Sequence, residues 1–194
     1  MKEQKKLKTK EFQYTLPERD EWEYYYDGME AVGDRRFKIA KKYFEECLEL
    51  KPGFIGGYEG LMAIAALTGK KKQEKQFCDL AYAAVRKKFP KWPRRLLWGK
   101  MENRPYMRVI SHRAAMHHER KEYMEAEELY RLLLKLNPND NQGVRYLIAG
   151  MFSEKMPQQV NDMFDEGNRK QNWDKLENMV TKENAIHKFW KKPK

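Results

Sequence analysis

The sequence predicts an all-α fold of stacked helix pairs, and three observations carry the prediction. First, AKKYFEECLELKP at residues 40–52, CDLAYAAVRKKFP at 78–90 and AEELYRLLLKLNP at 126–138 repeat one pattern. Each opens on a small residue, places an aromatic four later and an apolar residue three after that, and closes on a proline five further on. Second, offsets of four and three put Ala40, Phe44 and Cys47 on one helix face, and likewise Cys78, Tyr82 and Val85, and Ala126, Tyr130 and Leu133. Third, a helix with such a stripe cannot bury it alone. It needs neighbours on both sides, the condition for a solenoid, and the prolines end each helix and aim the chain into the next.

The elements follow in order. Residues 1–14, with five Lys in the first ten, read as a basic tail. Thr15 with Glu18 three later forms a capping box that starts the first helix. Trp22, Tyr25, Tyr26 and Met29 stand at the first-helix positions of the unit, and Gly33 and Asp34 turn into the helix ending at Pro52. The second unit, 55–90, opens on Tyr58, Leu61, Met62 and Ala65 and turns at Gly69. The third, 107–138, opens on Ile110, Ala114 and His117, and Tyr123 stands three before Ala126. Val144, Leu147, Ile148 and Met151 mark a further first helix over 141–153, so the array spans 15–153, its first unit being about 19–52. Pro157 suits the first turn of another helix carrying Val160, Met163 and Phe164, which DEGN at 165–168 breaks. Asn172 caps a last helix bearing Trp173, Leu176, Val180, Ile186 and Trp190. An open stack needs polar-faced terminal helices, so 156–190 reads as the cap and 191–194 as a second basic tail.

These residues resemble the tetratricopeptide repeat (TPR) family, whose helix–turn–helix unit opens W-x2-L-G-x2-Y and continues with a small residue, an aromatic and a closing proline. Pro52, Pro90 and Pro138 lie 38 and 48 residues apart, so the repeats are irregular. Residues 104–152, from NRPYM to EAEELYRLLLKLNPNDNQGVRYLIAG, resemble a block shared by the suppressor-of-tumorigenicity-seven family and bacterial TPR proteins. The resemblance implies a right-handed α-α superhelix, a TPR-like solenoid with C-terminal capping helices, serving as a protein–protein interaction scaffold. It also implies an inner groove. Its first unit would contribute Asp20, Glu23, Asp27 and Glu30, and its second Gly56, Glu59, Ala63 and Ala66. The third would contribute Arg108, Ser111, Ala115 and His118, and the last helix Gln142, Arg145, Ala149 and Phe152. Acidic at one end, small in the middle and basic at the far end, such a groove would orient a peptide or helix of a partner by its charges. The chain's own last helix, with Trp173 and Trp190, is an alternative occupant, and the open end of the array an alternative site of self-association. The family's carboxylate clamp needs Lys, Asn and Arg on the inner helices. Among Glu23, Glu59, Ser111, Arg145, Asp27, Ala63, Ala115 and Ala149 only Arg145 has that donor character, so a chaperone-tail adaptor is not expected.

Composition narrows the class. The 194 residues are 41% hydrophobic and 36% charged, suited to one domain with a continuous core. No apolar run reaches the roughly 18 residues of a membrane helix, and the basic start lacks an apolar segment after it, so a cytoplasmic protein is expected. Cys47 and Cys78 fall at core positions and read as reduced, buried thiols. The net charge of +11 is concentrated in the two terminal tails and in residues 70–100, which hold eleven Lys or Arg against Glu74 and Asp79. Within 86–100, Lys87, Lys88, Arg94 and Arg95 interleave with Trp92 and Trp98, the composition that single-stranded nucleic acid or an acidic partner would use. The competing reading makes Trp92, Leu96, Leu97 and Trp98 a short helix packed at the join of units two and three, with cation stems over it. Nucleic acid is the secondary expectation.

No nucleotide-binding fingerprint or nucleophile elbow is present, so no enzymatic activity and no cofactor are expected. HRAAMHHER holds three of the four histidines. His112 and His117 are five apart, about 140° round a helix, and therefore share no face. The spacing makes His117 half-buried, His118 groove-facing, and neither a metal ligand.

Overall fold

The computed structural model describes residues 19–191 and 193, and among them are nine α-helices and no strand. They are α1 (Glu21–Gly33), α2 (Phe37–Leu50), α3 (Ile55–Leu67), α4 (Lys71–Lys88), α5 (Arg104–Glu119), α6 (Tyr123–Leu136), α7 (Val144–Phe152), α8 (Pro157–Lys170) and α9 (Asp174–His187). A 3-10 turn, Met101–Asn103, leads into α5.

The recurring stripes form the interior of α2, α4 and α6. Eight of their nine residues are buried, and Tyr82 is half-buried with the Arg113 guanidinium 4.4 Å above its ring. Ala81, fully buried, takes the inward position beside it. The Phe44 ring lies against Gly28 of α1 and Gly60 of α3, where an added Cβ would stand 2.5 and 2.3 Å from Cε1. Large ring meets bare backbone. That is how three helices close on one aromatic.

Several boundaries differ from the sequence reading. Thr15 and Glu18 lie outside the described residues, and α1 begins at Glu21 on a capping box made by Asp20 and Glu23. Tyr26, assigned to a first-helix position of the repeat, is 42% exposed. The third unit starts at Arg104 rather than 107, with Pro105 in its first turn, where a missing N–H costs nothing. The fourth first helix starts at Val144 rather than 141, because Asp140 accepts hydrogen bonds from the Val144 and Arg145 N–H groups at 2.7 and 3.1 Å. No helix forms over 92–98: the segment crosses as an irregular strap, with Leu96 buried and Leu97 exposed. Pro93 explains this, since it drives the preceding Trp92 away from helical conformation. Conversely, DEGN does not break α8. The helix runs through Gly167, on which Trp173 packs, and ends at Gln171 with φ 52°. Asn172 accepts a hydrogen bond from the Asp174 N–H at 2.8 Å, but the N-cap of α9 is Trp173, which therefore precedes the helix instead of lying in it. Leu176 and Val180 are buried as expected, whereas Ile186 is exposed and Trp190 lies past the helix end.

Each helix packs on the next through the whole series, and α7 also packs on α9. Alternate helices meet on one side only: α1 touches α3, α3 touches α5 and α5 touches α7. Between α2 and α4, and between α4 and α6, no Cα atoms approach within 8 Å. One apolar cluster joins α1, α2 and one face of α3, through Tyr25, Phe44, Phe54, Leu61 and Ile64. The other runs from Ile55 and Met62 on the opposite face of α3 to Phe189. Among the described residues no helix is long and apolar enough to cross a membrane. Cys47 and Cys78 are buried free thiols, pushed up to about 12 and about 11 by burial.

Candidate functional site

The residues assigned to a groove lie on α1, α3, α5 and α7 or just before them, and their surroundings differ from end to end. Gly28 backs onto Phe44 of α2, and the helical angle turns Glu23 and Glu30 away from that contact. Both are exposed. Asp20 and Glu23 satisfy each other's backbone donors at the start of α1, and Asp27 pairs with Arg19.

In the centre, side chains from three helices converge. The Tyr25 hydroxyl of α1 donates to Glu59 of α3 at 2.9 Å, and Arg108 of α5 donates to the Tyr25 oxygen at 2.9 Å. The Arg108 guanidinium also stands 4.0 Å from Glu59. Glu59 is only 3% exposed. Burial raises its carboxyl above the usual range while Arg108 opposes the shift. Glu59 and Arg108, read as free opposite charges of the groove, are therefore tied to each other. Ala63, Ala66, Ser111 and Ala115 beside them are half-buried.

The far end departs further from expectation. His118 does not face the groove: it is 1% exposed, its ring edge-on to Tyr123 and Tyr130 of α6. Arg145 donates to Asp140 at 2.9 Å and to Glu177 of α9 at 3.0 Å, and also bonds the Tyr146 hydroxyl. Phe152 stacks on His187, ring centres 3.7 Å apart. The last helix thus covers Arg145 and Phe152, and Ala149, the third α7 position assigned to the groove, is fully buried in the core. Sequence reasoning missed Asp140 and Glu177. An Asp placed before the apolar run at Val144 is a helix-start signal that could have found the first; nothing local marks Glu177, which comes from another helix.

The basic segment has its aromatic faces engaged. The Arg86 guanidinium sits 4.6 Å over Trp92, and those of Arg104 and Arg108 sit 5.0 and 5.8 Å from Trp98. The Arg95 side chain donates to the Lys135 carbonyl and the Leu96 N–H to the Leu136 carbonyl, both at 2.9 Å, which anchors the strap on the end of α6. Lys87, Lys88 and Arg94 are exposed. The two lysines rim a hollow of about 520 Å³ floored by Ile55, Tyr58 and Tyr106.

His112 bonds Glu74 of α4 at 2.9 Å and His117 pairs with Glu122. Among the described residues no three His, Cys, Asp or Glu side chains are placed to share a metal ion. No protein-family model, curated protein or solved structure matches the chain.

Proposed function

We propose that the chain is a non-enzymatic interaction module of the cytoplasm, a TPR-like right-handed superhelix whose inner face receives a helix or peptide of a partner protein. One observation carries the proposal. The odd-numbered helices α1, α3, α5 and α7 meet in succession while α2, α4 and α6 stay apart, as helix pairs do when a stack curves toward one set of its members. Two buried free thiols agree with a reducing compartment.

The available part of that face is the α1–α3–α5 stretch. It offers Glu23 and Glu30 at its edge and half-buried Ala63, Ala66 and Ser111 along its floor. With Arg145 held under α9, the cationic end is closed, so the complementary segment carries an apolar stripe flanked by Lys or Arg. Titrating labelled cationic amphipathic peptides of about 20 residues tests this by anisotropy. Ala63→Trp, which fills the floor, and Glu30→Lys, which reverses the edge, should each weaken binding by about tenfold. Equal binding by wild type and both variants would remove the reading.

A further inference from the structure

A second cleft, of about 890 Å³, opens between the strap, the C-terminal end of α6 and residues 184–191 and 193. Arg95, Arg131, Lys135, Lys188 and Lys191 line it, and no Asp or Glu does among the described residues. Its volume lies within the roughly 300–1,000 Å³ of ligand clefts.

The walls are fixed. Leu96 is hydrogen-bonded to Leu136, as described above. Opposite, the Trp190 indole N–H donates to the Pro138 carbonyl at 2.9 Å, and the Asn184 side chain bonds both the N–H and the carbonyl of Trp190. Arg131 donates to the His187 carbonyl at 2.9 Å and pairs with Glu127.

Helix C-termini attract cations, and α6 and α9 both end here, so some of the charge has a structural use. Arg95 and Arg131 serve it by donating to terminal carbonyls. Lys135, Lys188 and Lys191 form no ion pair or side-chain hydrogen bond among the described residues. A neutral polar side chain, Asn137, stands among these cations. It is only 6% exposed and lines the cleft, yet its side-chain amide makes no hydrogen bond there. Its amide keeps access to the cleft, and an amide offers the donor and acceptor that a peptide backbone matches.

We infer that this cleft binds an extended acidic segment of a partner protein. Its carboxylates meet Lys135, Lys188 and Lys191, its backbone meets the Asn137 amide, and an apolar side chain rests on Leu97 and Leu134. The chain's own residues 1–18 hold five Lys against three Glu and lack the matching charge. Nucleic acid is disfavoured because bases need open ring faces. Of the two rings lining the cleft, Phe189 is 6% exposed, and Trp190 is half-buried with Arg145 at 5.1 Å from its ring.

The test is anisotropy at low salt, about 50 mM, where exposed charges are least screened. The probe is a labelled acidic peptide of about ten residues with a central leucine, run beside its Asn/Gln counterpart and an oligothymidylate. The acidic peptide should bind and its amide counterpart should not. Lys135→Glu combined with Lys191→Glu, both on exposed side chains, should weaken binding by about tenfold or more. Asn137→Leu should weaken it by about threefold or more. Ala63→Trp on the α3 face should leave this binding unchanged, which separates the cleft from the inner face. No binding by wild type, full binding by the charge-reversed variant, loss caused by Ala63→Trp, or tighter binding of the oligothymidylate would each overturn the assignment.

Discussion

His118 and His112 make the clearest case at the scale of single residues. Burial lowers both imidazoles below 6.5, more strongly than the neighbouring groups, the Lys155 backbone for His118 and Glu74 for His112, raise them. In the window below 6.5 the unfolded chain therefore binds protons that the folded chain refuses, and stability falls as pH drops. The buried carboxyls of Glu59 and Asp140 are raised, so they take up protons first in the folded state and act in the opposite direction. The informative quantity is consequently a difference. His118→Phe keeps an aromatic against Tyr123 and Tyr130 but cannot protonate. Its urea midpoint should fall less than that of wild type between about pH 7.5 and 5.5. Parallel slopes would show that His118 carries no such load. The sequence placed His118 wrongly for a physical reason. Helical angle gives a side chain's direction, but not the neighbouring helix that meets it, here α6.

Among elements, the pattern in the second helices was legible except at Tyr82, where Ala81 takes the inward place. Ala40, Phe44 and Cys47 stand buried in the order their spacing requires. The reciprocal feature was not, because nothing in the Phe44 spacing announces that two glycines on two other helices receive its ring. Gly60→Ala would set a methyl 2.3 Å from that ring. Overpacking of this kind costs about 1–3 kcal/mol, against a slight gain from a better helix former. Pairing it with Phe44→Leu should recover part of the loss. Thermal melts of the two single variants and the double variant measure this, and a Gly60→Ala protein as stable as wild type would refute the tight contact. The strap over 92–98 teaches the complementary lesson. Trp92 and Leu96 are spaced as a helix would space them, yet one proline at 93 decides the backbone locally.

For the whole molecule, all-α architecture and helix order could be read from periodicity and prolines alone. Which helices meet beyond their neighbours could not, because those contacts join residues far apart in the chain. The covering of Arg145 and Phe152 by α9 belongs here too, and it changes the expected groove from a two-ended one to an α1–α3–α5 face with an acidic edge. The same side of the stack is held by Tyr25, Glu59 and Arg108. Residues 25 and 108 lie on helices whose Cα atoms nowhere approach within 8 Å, so the hydrogen bond between them spans the width of α3. Their energetic coupling therefore reports the convergence of odd-numbered helices.

The most direct measurement is a double-mutant cycle in urea with Tyr25→Phe and Arg108→Met, the latter keeping the side-chain stem. The hydrogen bond across α3 predicts a coupling of about 0.5–3 kcal/mol. Losses that simply add, within about 0.3–0.5 kcal/mol, would mean that α1 and α5 do not converge on α3 and would contradict the proposed curved stack.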